Sequence, residues 1–275
     1  MRIHIISDME GVAGVVRSDQ TNAGRPLYEE GRKLYTEEIN AAVRGAKKAG
    51  ATEIVVMDHH GAGGAFSFNS LIPDQLDPAC DYVVQSSWTQ YTGLLEQGCD
   101  ACLLVGMHAM AGTPNGVLAH TVSGSEWRRL RFNGVLVGET GINAALCGTW
   151  DCPVLLVTGD EAACGEAMAL LGDGLTTVAV KTGIGIAAAR NVAPLRARKL
   201  IKEAADKALK NLDAVKPYDP GRPAEIEVEF MSPNEVAKYR GRHGVEITGP
   251  ESLVARGEDW WSAWRALFLE PKLAS

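Results

Sequence analysis

The run MRIHIISDMEG, residues 1–11, decides the fold. Ile3, Ile5 and Ile6 are β-branched and nearly continuous, the composition of a strand covered on both faces, and such strands belong mostly to parallel sheets in α/β proteins. The run stops abruptly at Ser7, so Asp8 and Glu10 stand at its carboxyl end, where open α/β sheets bind their ligands. Two residues apart on extended backbone, their side chains share a side, with Cα atoms about 6.5–7 Å apart. Carboxylates so placed can reach one cation or two neighbouring ones. The competing reading is a turn in which Asp8 caps the backbone and Glu10 is a solvated charge.

Working outward, residues 28–49 place Tyr35, Ile39, Ala42, Val43 and Ala46 on one helical face, and Gly50 stops the helix. Residues 53–57 (EIVVM) form the next strand, which completes a right-handed strand–helix–strand crossover and ends in Asp58, His59 and His60. A strand at 81–85, a helix near 89–97 and a strand at 101–105 follow, the last running into Gly106, Met107 and His108. Asn133-Gly134 between residues 130–132 and 135–137 predicts a type I′ hairpin. Glu139 then opens a short helix to Gly148, residues 154–158 (VLLVT) form another buried strand, and Asp160 caps the helix after it. A strand at 176–180 and a long helix at 194–215 complete this part.

Residues 216–223, with three prolines and a glycine, read as a linker. Beyond it the pattern predicts a strand at 226–230, a short helix near 234–239, a strand at 245–248 and a final helix from 251 to about 269. Trp260, Trp261 and Trp264 on that helix suit a core or a subunit interface. The expected architecture is three-layer α/β/α with a mostly parallel sheet. Residues 1–215 would form the catalytic, metal-binding domain, and 216–275 a smaller α/β segment packed on it without independent stability.

The chain of 275 residues, 46% hydrophobic, can bury a large core, and its net charge of −7 offers no basic footprint for nucleic acid or an anionic membrane. No charged leader precedes an apolar segment and no run is long enough to span a bilayer, so a cytoplasmic protein is expected. The six cysteines are dispersed, and the lone C-x-x-C at Cys99 and Cys102 reads as core packing rather than a zinc ribbon.

Three apolar strands thus end in ligand-type residues: Asp8 with Glu10; Asp58, His59 and His60; and His108. Carboxylates and imidazoles at several strand ends converge on one crevice of a doubly wound sheet. Mixed ligation of this kind suits zinc, with manganese, cobalt or iron as substitutes, and the donor count suggests two ions. His59 and His60 point to opposite sides of an extended chain, so one of them should enter the site, and the pattern alone does not choose. His4 reads as a packed histidine, and His243 falls in a Gly/Arg-rich loop.

The run Ser7-Asp8-Met9-Glu10-Gly11 resembles the opening motif of the zinc-dependent D-aminopeptidase family, the M55 peptidases. Asp58 with His60, Gly106-Met107-His108-Ala109, Thr113-Pro114, Gly116-Val117 with His120, Val137-Gly138-Glu139 with Gly141 and Asn143, and residues 153–160 agree in order. The resemblance implies a two-zinc site with Asp8, Glu10, His60, His108 and Glu139 as ligands and Asp8 bridging the ions. It chooses His60 over His59, and it matches His120 to a catalytic histidine outside the coordination sphere. Asn143 becomes a substrate contact, and an acid near the metals, Glu10 or the neighbouring Asp58, could orient a substrate ammonium. It further implies hydrolysis of the N-terminal residue from short peptides or amino-acid amides, with D-residues preferred, in a homo-oligomeric ring that could be a decamer. One departure is an extra residue near Thr113 to Gly116, in the loop that should shape the pocket. Competing readings are a binuclear hydrolase of another amide or a phosphate ester, and a non-catalytic metal-binding ring protein.

Overall fold

The computed structural model describes residues 1–85 and 95–268. In chain order its elements are β1 (Arg2–Ser7), α1 (Ser18–Thr21), α2 (Tyr28–Lys48), β2 (Glu53–Asp58), β3 (Asp81–Val83), β4 (Ala101–Met107), β5 (Trp127–Phe132), β6 (Val135–Val137), α3 (Glu139–Gly148), β7 (Val154–Asp160), α4 (Glu161–Leu171), β8 (Thr176–Gly185), β9 (Ala188–Asn191), α5 (Pro194–Ala208), β10 (Ala224–Phe230), α6 (Pro233–Ala237), β11 (Val245–Gly249), β12 (Ser252–Gly257) and α7 (Trp260–Phe268). The helix expected near 89–97 falls largely outside the described residues.

The main sheet has seven strands in the order β3-β2-β1-β4-β7-β8-β9. All its pairings are parallel except β8 with β9. Helices α2 and α5 pack together on one side, and α3 contacts β4 and α4 on the other, giving the expected three layers. β1 lies between β2 and β4, with Ser7 opposite Asp58 and Val105. The strands that carry acids and imidazoles at their carboxyl ends are therefore immediate neighbours. Ile3, Ile5, Ile6, Val56, Leu103, Leu104, Leu156 and Val157 are fully buried, which is why these strands read as continuous apolar runs.

A second sheet of five antiparallel strands runs β11-β12-β10-β5-β6. Its hairpin β5–β6 comes from the first half of the chain, and β10 pairs with β5 from Ile226↔Phe132 to Phe230↔Trp127. The hairpin turn is as expected, with Asn133 at φ 46 and Gly134 at φ 82.

Two expectations are corrected. Residues 252–257 form strand β12, paired on both edges, and the last helix starts only at Trp260. Leu253, Val254 and Ala255 are buried between β10 and β11, so pairing overrides the helical spacing of the tryptophans that follow. Helix α5 ends at Ala208 rather than continuing to 215.

Candidate metal centre

The site sits where β1, β2 and β4 end, and two glycines let those ends touch. A Cβ on Gly11 would lie 2.0 Å from the Met107 carbonyl oxygen, and one on Gly106 would lie 2.0 Å from that of Asp8. Gly106 also has φ +79, a conformation that glycine adopts without penalty. Backbone bonds from Asp8 N to Val105 O and from Gly11 N to Gly106 O, both 2.8 Å, close the contact. Asp8 and Glu10 thereby face His108.

Asp8 occupies the centre. Its Oδ1 lies 3.2 Å from His60 Nδ1 and its Oδ2 lies 3.2 Å from His108 Nε2. Glu10 Oε2 approaches His60 Nδ1 at 3.0 Å, and Glu139 Oε1 approaches His108 Nε2 at 3.3 Å. The carboxylates thus divide into a Glu10–His60 side and a Glu139–His108 side, joined by Asp8. Ligand atoms of Asp8, Glu10 and His108 lie within 4.8 Å of one another, as do those of His108, His120 and Glu139.

The far nitrogen of each imidazole is bound to a backbone carbonyl. His60 Nε2 reaches Thr21 O at 2.7 Å, His108 Nδ1 reaches Ala109 O at 2.9 Å, and His120 Nδ1 reaches Leu118 O at 2.8 Å. Donation to those carbonyls leaves the lone pair of the other nitrogen directed at the carboxylates, the orientation that metal-binding histidines need. Asp8 Oδ2, Glu10 Oε2 and His108 Nε2 are buried and have no aligned hydrogen bond. Unsatisfied acceptors of both types, facing one space, fit a cation.

The electrostatics agree. Burial alone would raise the pKa of Asp8, but His108 and His60 hold it well below the usual carboxylate range. Burial would lower His60 and His108, yet Glu10 with Asp8 raises the first, and Glu139 with Asp8 the second, well above the imidazole range. The cluster therefore calls for positive charge where paired dications would sit.

Of the other expected residues, Asn143 lines the pocket and its Oδ1 lies 2.9 Å from His59 Nδ1, while His59 also borders the pocket. Asp58 is 1% exposed and turned away: Tyr35 Oη donates to its Oδ1 at 2.8 Å, His60 N donates to the same oxygen at 2.9 Å, and Ser70 N donates to Oδ2. It fixes the backbone of His60. His120 stacks on His108 with ring centroids 4.0 Å apart, its Nε2 lying 3.8 Å from Glu139 Oε1. The loop before it is anchored by Val117 N to Asp160 Oδ2 at 2.7 Å and by Thr113 Oγ1 to Glu166 Oε1 at 2.6 Å. Asp160 also caps α4, accepting from Ala163 N at 2.7 Å.

Sequence reasoning missed Lys181. The residue is 1% exposed, and its ammonium donates to the carbonyls of Glu10, Val12 and Val15, the contact to Val12 O being 3.0 Å. It clamps the segment that carries Glu10. Burial depresses its pKa to about 8 in spite of the acids around it, Asp160 foremost. The available signal was a single lysine following the apolar run of β8.

A doubly wound sheet whose crevice gathers three buried carboxylates and two imidazoles, with Asp8 between the imidazoles, defines a metal-dependent hydrolase. The family follows from comparison with known proteins: the D-aminopeptidase profile of peptidase family M55 matches residues 1–269, and the chain belongs to that family. A D-aminopeptidase of Bacillus subtilis (strain 168) is 32% identical over 277 residues, spanning 100% of this chain and 98% of its own. The solved structure of a zinc-dependent D-aminopeptidase from Bacillus subtilis, titled a self-compartmentalizing protease, superposes with a TM-score of 0.90 at 32% identity. That match covers 98% of this chain and 96% of the other.

Proposed function

We propose that this chain is a zinc-dependent aminopeptidase that removes the N-terminal residue from short peptides or amino-acid amides, with a preference for D-residues. The observation that carries the reading is Asp8, with one oxygen toward His60 and the other toward His108. Asp8, Glu10, His60, His108 and Glu139 would hold the metal, with Asp8 between the Glu10–His60 and His108–Glu139 sides. When bound, two zinc ions there would polarise the scissile carbonyl and activate water, and manganese or cobalt could substitute.

The protein's own part is orientation and proton transfer. Glu139 takes the Val122 N–H at 2.7 Å on Oε1, which ties the pocket rim to the ligand set. The His120 side chain is 23% exposed, against 5% for His60 and 1% for His108, so of these three it is the imidazole most open to a substrate. Its Nδ1 bond to Leu118 O leaves the Nε2 lone pair free toward the pocket. His120 then carries the proton from the attacking water to the leaving amine, or attacks the carbonyl itself, expelling the amine and leaving an acyl-imidazole that water hydrolyses. A passive metal binder needs no such exposed imidazole. Asn143 borders the same space and serves as a substrate contact.

Assembly into a homo-oligomer is part of the proposal. Ile184 and Ile186, 71% and 61% exposed at the β8–β9 turn, supply an apolar contact, and light scattering of the purified protein tests it. No described helix is long and apolar enough to cross a membrane. Six free thiols suit the reducing cytoplasm. The functional test is hydrolysis of matched D- and L-aminoacyl amides and a phosphate ester by zinc-restored protein. Cleavage of the amides alone, faster for D, is expected, whereas cleavage of the ester alone would overturn the assignment.

A further inference from the structure

The pocket over the ligand cluster has two unlike sets of lining residues. Besides the carboxylates and imidazoles it is lined by Phe68, Val122, Ile142, Trp264 and Phe268. The cavity itself measures about 170 Å³ and opens to solvent at its mouth. Among the described lining residues there is no lysine or arginine, and every acid belongs to the ligand set. A charged side chain lying against the apolar face would find no partner there.

This face is held in place by four separate parts of the fold, Ile142 coming from α3. Phe68 and Val122 have φ 59 and φ 61, a conformation that bulky and β-branched residues rarely adopt, and each is fixed through its own N–H. Phe68 N donates to His60 O at 2.8 Å, and Val122 N donates to Glu139 Oε1 at 2.7 Å. Both residues are therefore set in register with ligands. Trp264 packs between Trp260 and Phe268, with ring centroids 5.2 and 4.5 Å away, so the α7 part of the lining is braced by packed aromatic rings. Helix α7, at the end of the chain, thus reaches the pocket of a site built at its beginning.

We propose that this face is the side-chain pocket for the N-terminal residue of the substrate, and that it selects bulky apolar side chains, aromatic or branched aliphatic, over alanine and over charged residues. The proposal rests on the aminopeptidase reading above. An exopeptidase places the N-terminal residue against the ligand cluster, and its side chain then meets the apolar wall. Apolar pockets discriminate by contact area, with about 10- to 200-fold at stake for a methylene gained or lost.

The test uses the zinc-loaded full chain and D-aminoacyl amides of phenylalanine, leucine, alanine, lysine and aspartate. Expected kcat/KM values for phenylalanine and leucine exceed that for alanine at least tenfold, and those for lysine and aspartate are lower still. Phe68→Ala should keep its zinc and cut the phenylalanine-to-alanine ratio at least fivefold, while Phe68→Lys should raise aspartate relative to phenylalanine. Phe68 lies in a loop, so its variants avoid the folding burden of Trp264. Equal kcat/KM for phenylalanine and alanine in the wild type would overturn the proposal. So would a ratio unmoved in zinc-replete Phe68→Ala, or dipeptide rates that follow the second residue instead of the first. Failure to cleave any amide or dipeptide would instead contradict the aminopeptidase reading.

Discussion

Gly106→Ala alters no ligand, yet it should disable the site. A Cβ at this position would lie 2.0 Å from Asp8 O, 3.0 Å from Val12 Cγ2 and 3.1 Å from Asp8 C, and φ is +79. Real Cβ contacts demand about 3 Å or more, so the ends of β1 and β4 must part by roughly 1 Å. That movement separates Asp8 from His108, now 3.2 Å apart across Oδ2 and Nε2. A displacement of about 1 Å in a catalytic arrangement costs on the order of 10²-fold in rate. The left-handed backbone adds about 1–2 kcal/mol of strain for a residue with a Cβ. Gly134→Ala separates the two effects, because Gly134 has φ +82 with nothing within 4 Å of its added Cβ. It should lose about 1 kcal/mol of stability and keep zinc and turnover. Zinc per chain by mass spectrometry, thermal melting and kcat/KM on one amide, measured for both variants, decide the matter. Gly106→Ala with wild-type zinc and kcat/KM, melting no lower than Gly134→Ala, would refute the reasoning.

Four further outcomes are expected. His60→Ala should lose metal and activity sharply while His59→Ala keeps its zinc, as metal analysis of the two would show; equal loss would shift the ligand by one residue. His120→Ala should retain zinc while kcat falls at least about 100-fold with a much smaller change in KM, and loss of zinc there would make it a ligand. Glu38 is raised by burial to about 7 from 4.5, so the folded state holds its proton more tightly than the unfolded chain does. Its contribution to stability is complete below pH 4.5 and is lost as pH rises to about 7. Glu38→Gln should therefore flatten the decline between pH 5 and 7.5 in denaturant titrations, by on the order of 2–3 kcal/mol, and an unchanged pH slope would contradict it. Finally, we propose that residues 216–275 have no independent stability and that a 1–215 fragment melts far below the full chain or fails to stay soluble. Removing β10 uncovers Trp127, Leu130 and Phe132, each at most 2% exposed, and a fragment as stable as the whole would refute it.

Legibility in the sequence followed the range of the interactions. β1 and its two acids were readable because a strand buried on both faces is apolar along its whole length, and Asp8 and Glu10 interrupt it abruptly. The neighbouring positions of β1, β2 and β4 made His60 and His108 candidates by topology alone. Glu139 was not readable in that way. It opens α3 as an ordinary first-turn acid, so only the family resemblance named it, and the tertiary packing brings it to 3.3 Å from His108. Asp58 stands beside a ligand in the chain but spends its oxygens on Tyr35, His60 N and Ser70 N, a partnership fixed by residues up to 23 positions distant. The misreading of 252–257 has the same origin, since those residues pair with a strand about thirty positions earlier. Lys181 was invisible because its partners are backbone carbonyls, which leave no mark in a side-chain pattern.

The bridging role of Asp8 is tested most directly by crystals of the zinc-loaded protein, with diffraction recorded on both sides of the zinc absorption edge. Two anomalous peaks about 3.5–4 Å apart are expected, one beside Glu10 and His60, the other beside His108 and Glu139, with an Asp8 oxygen on each. A single peak, or two peaks that leave Asp8 unligated, would contradict the account.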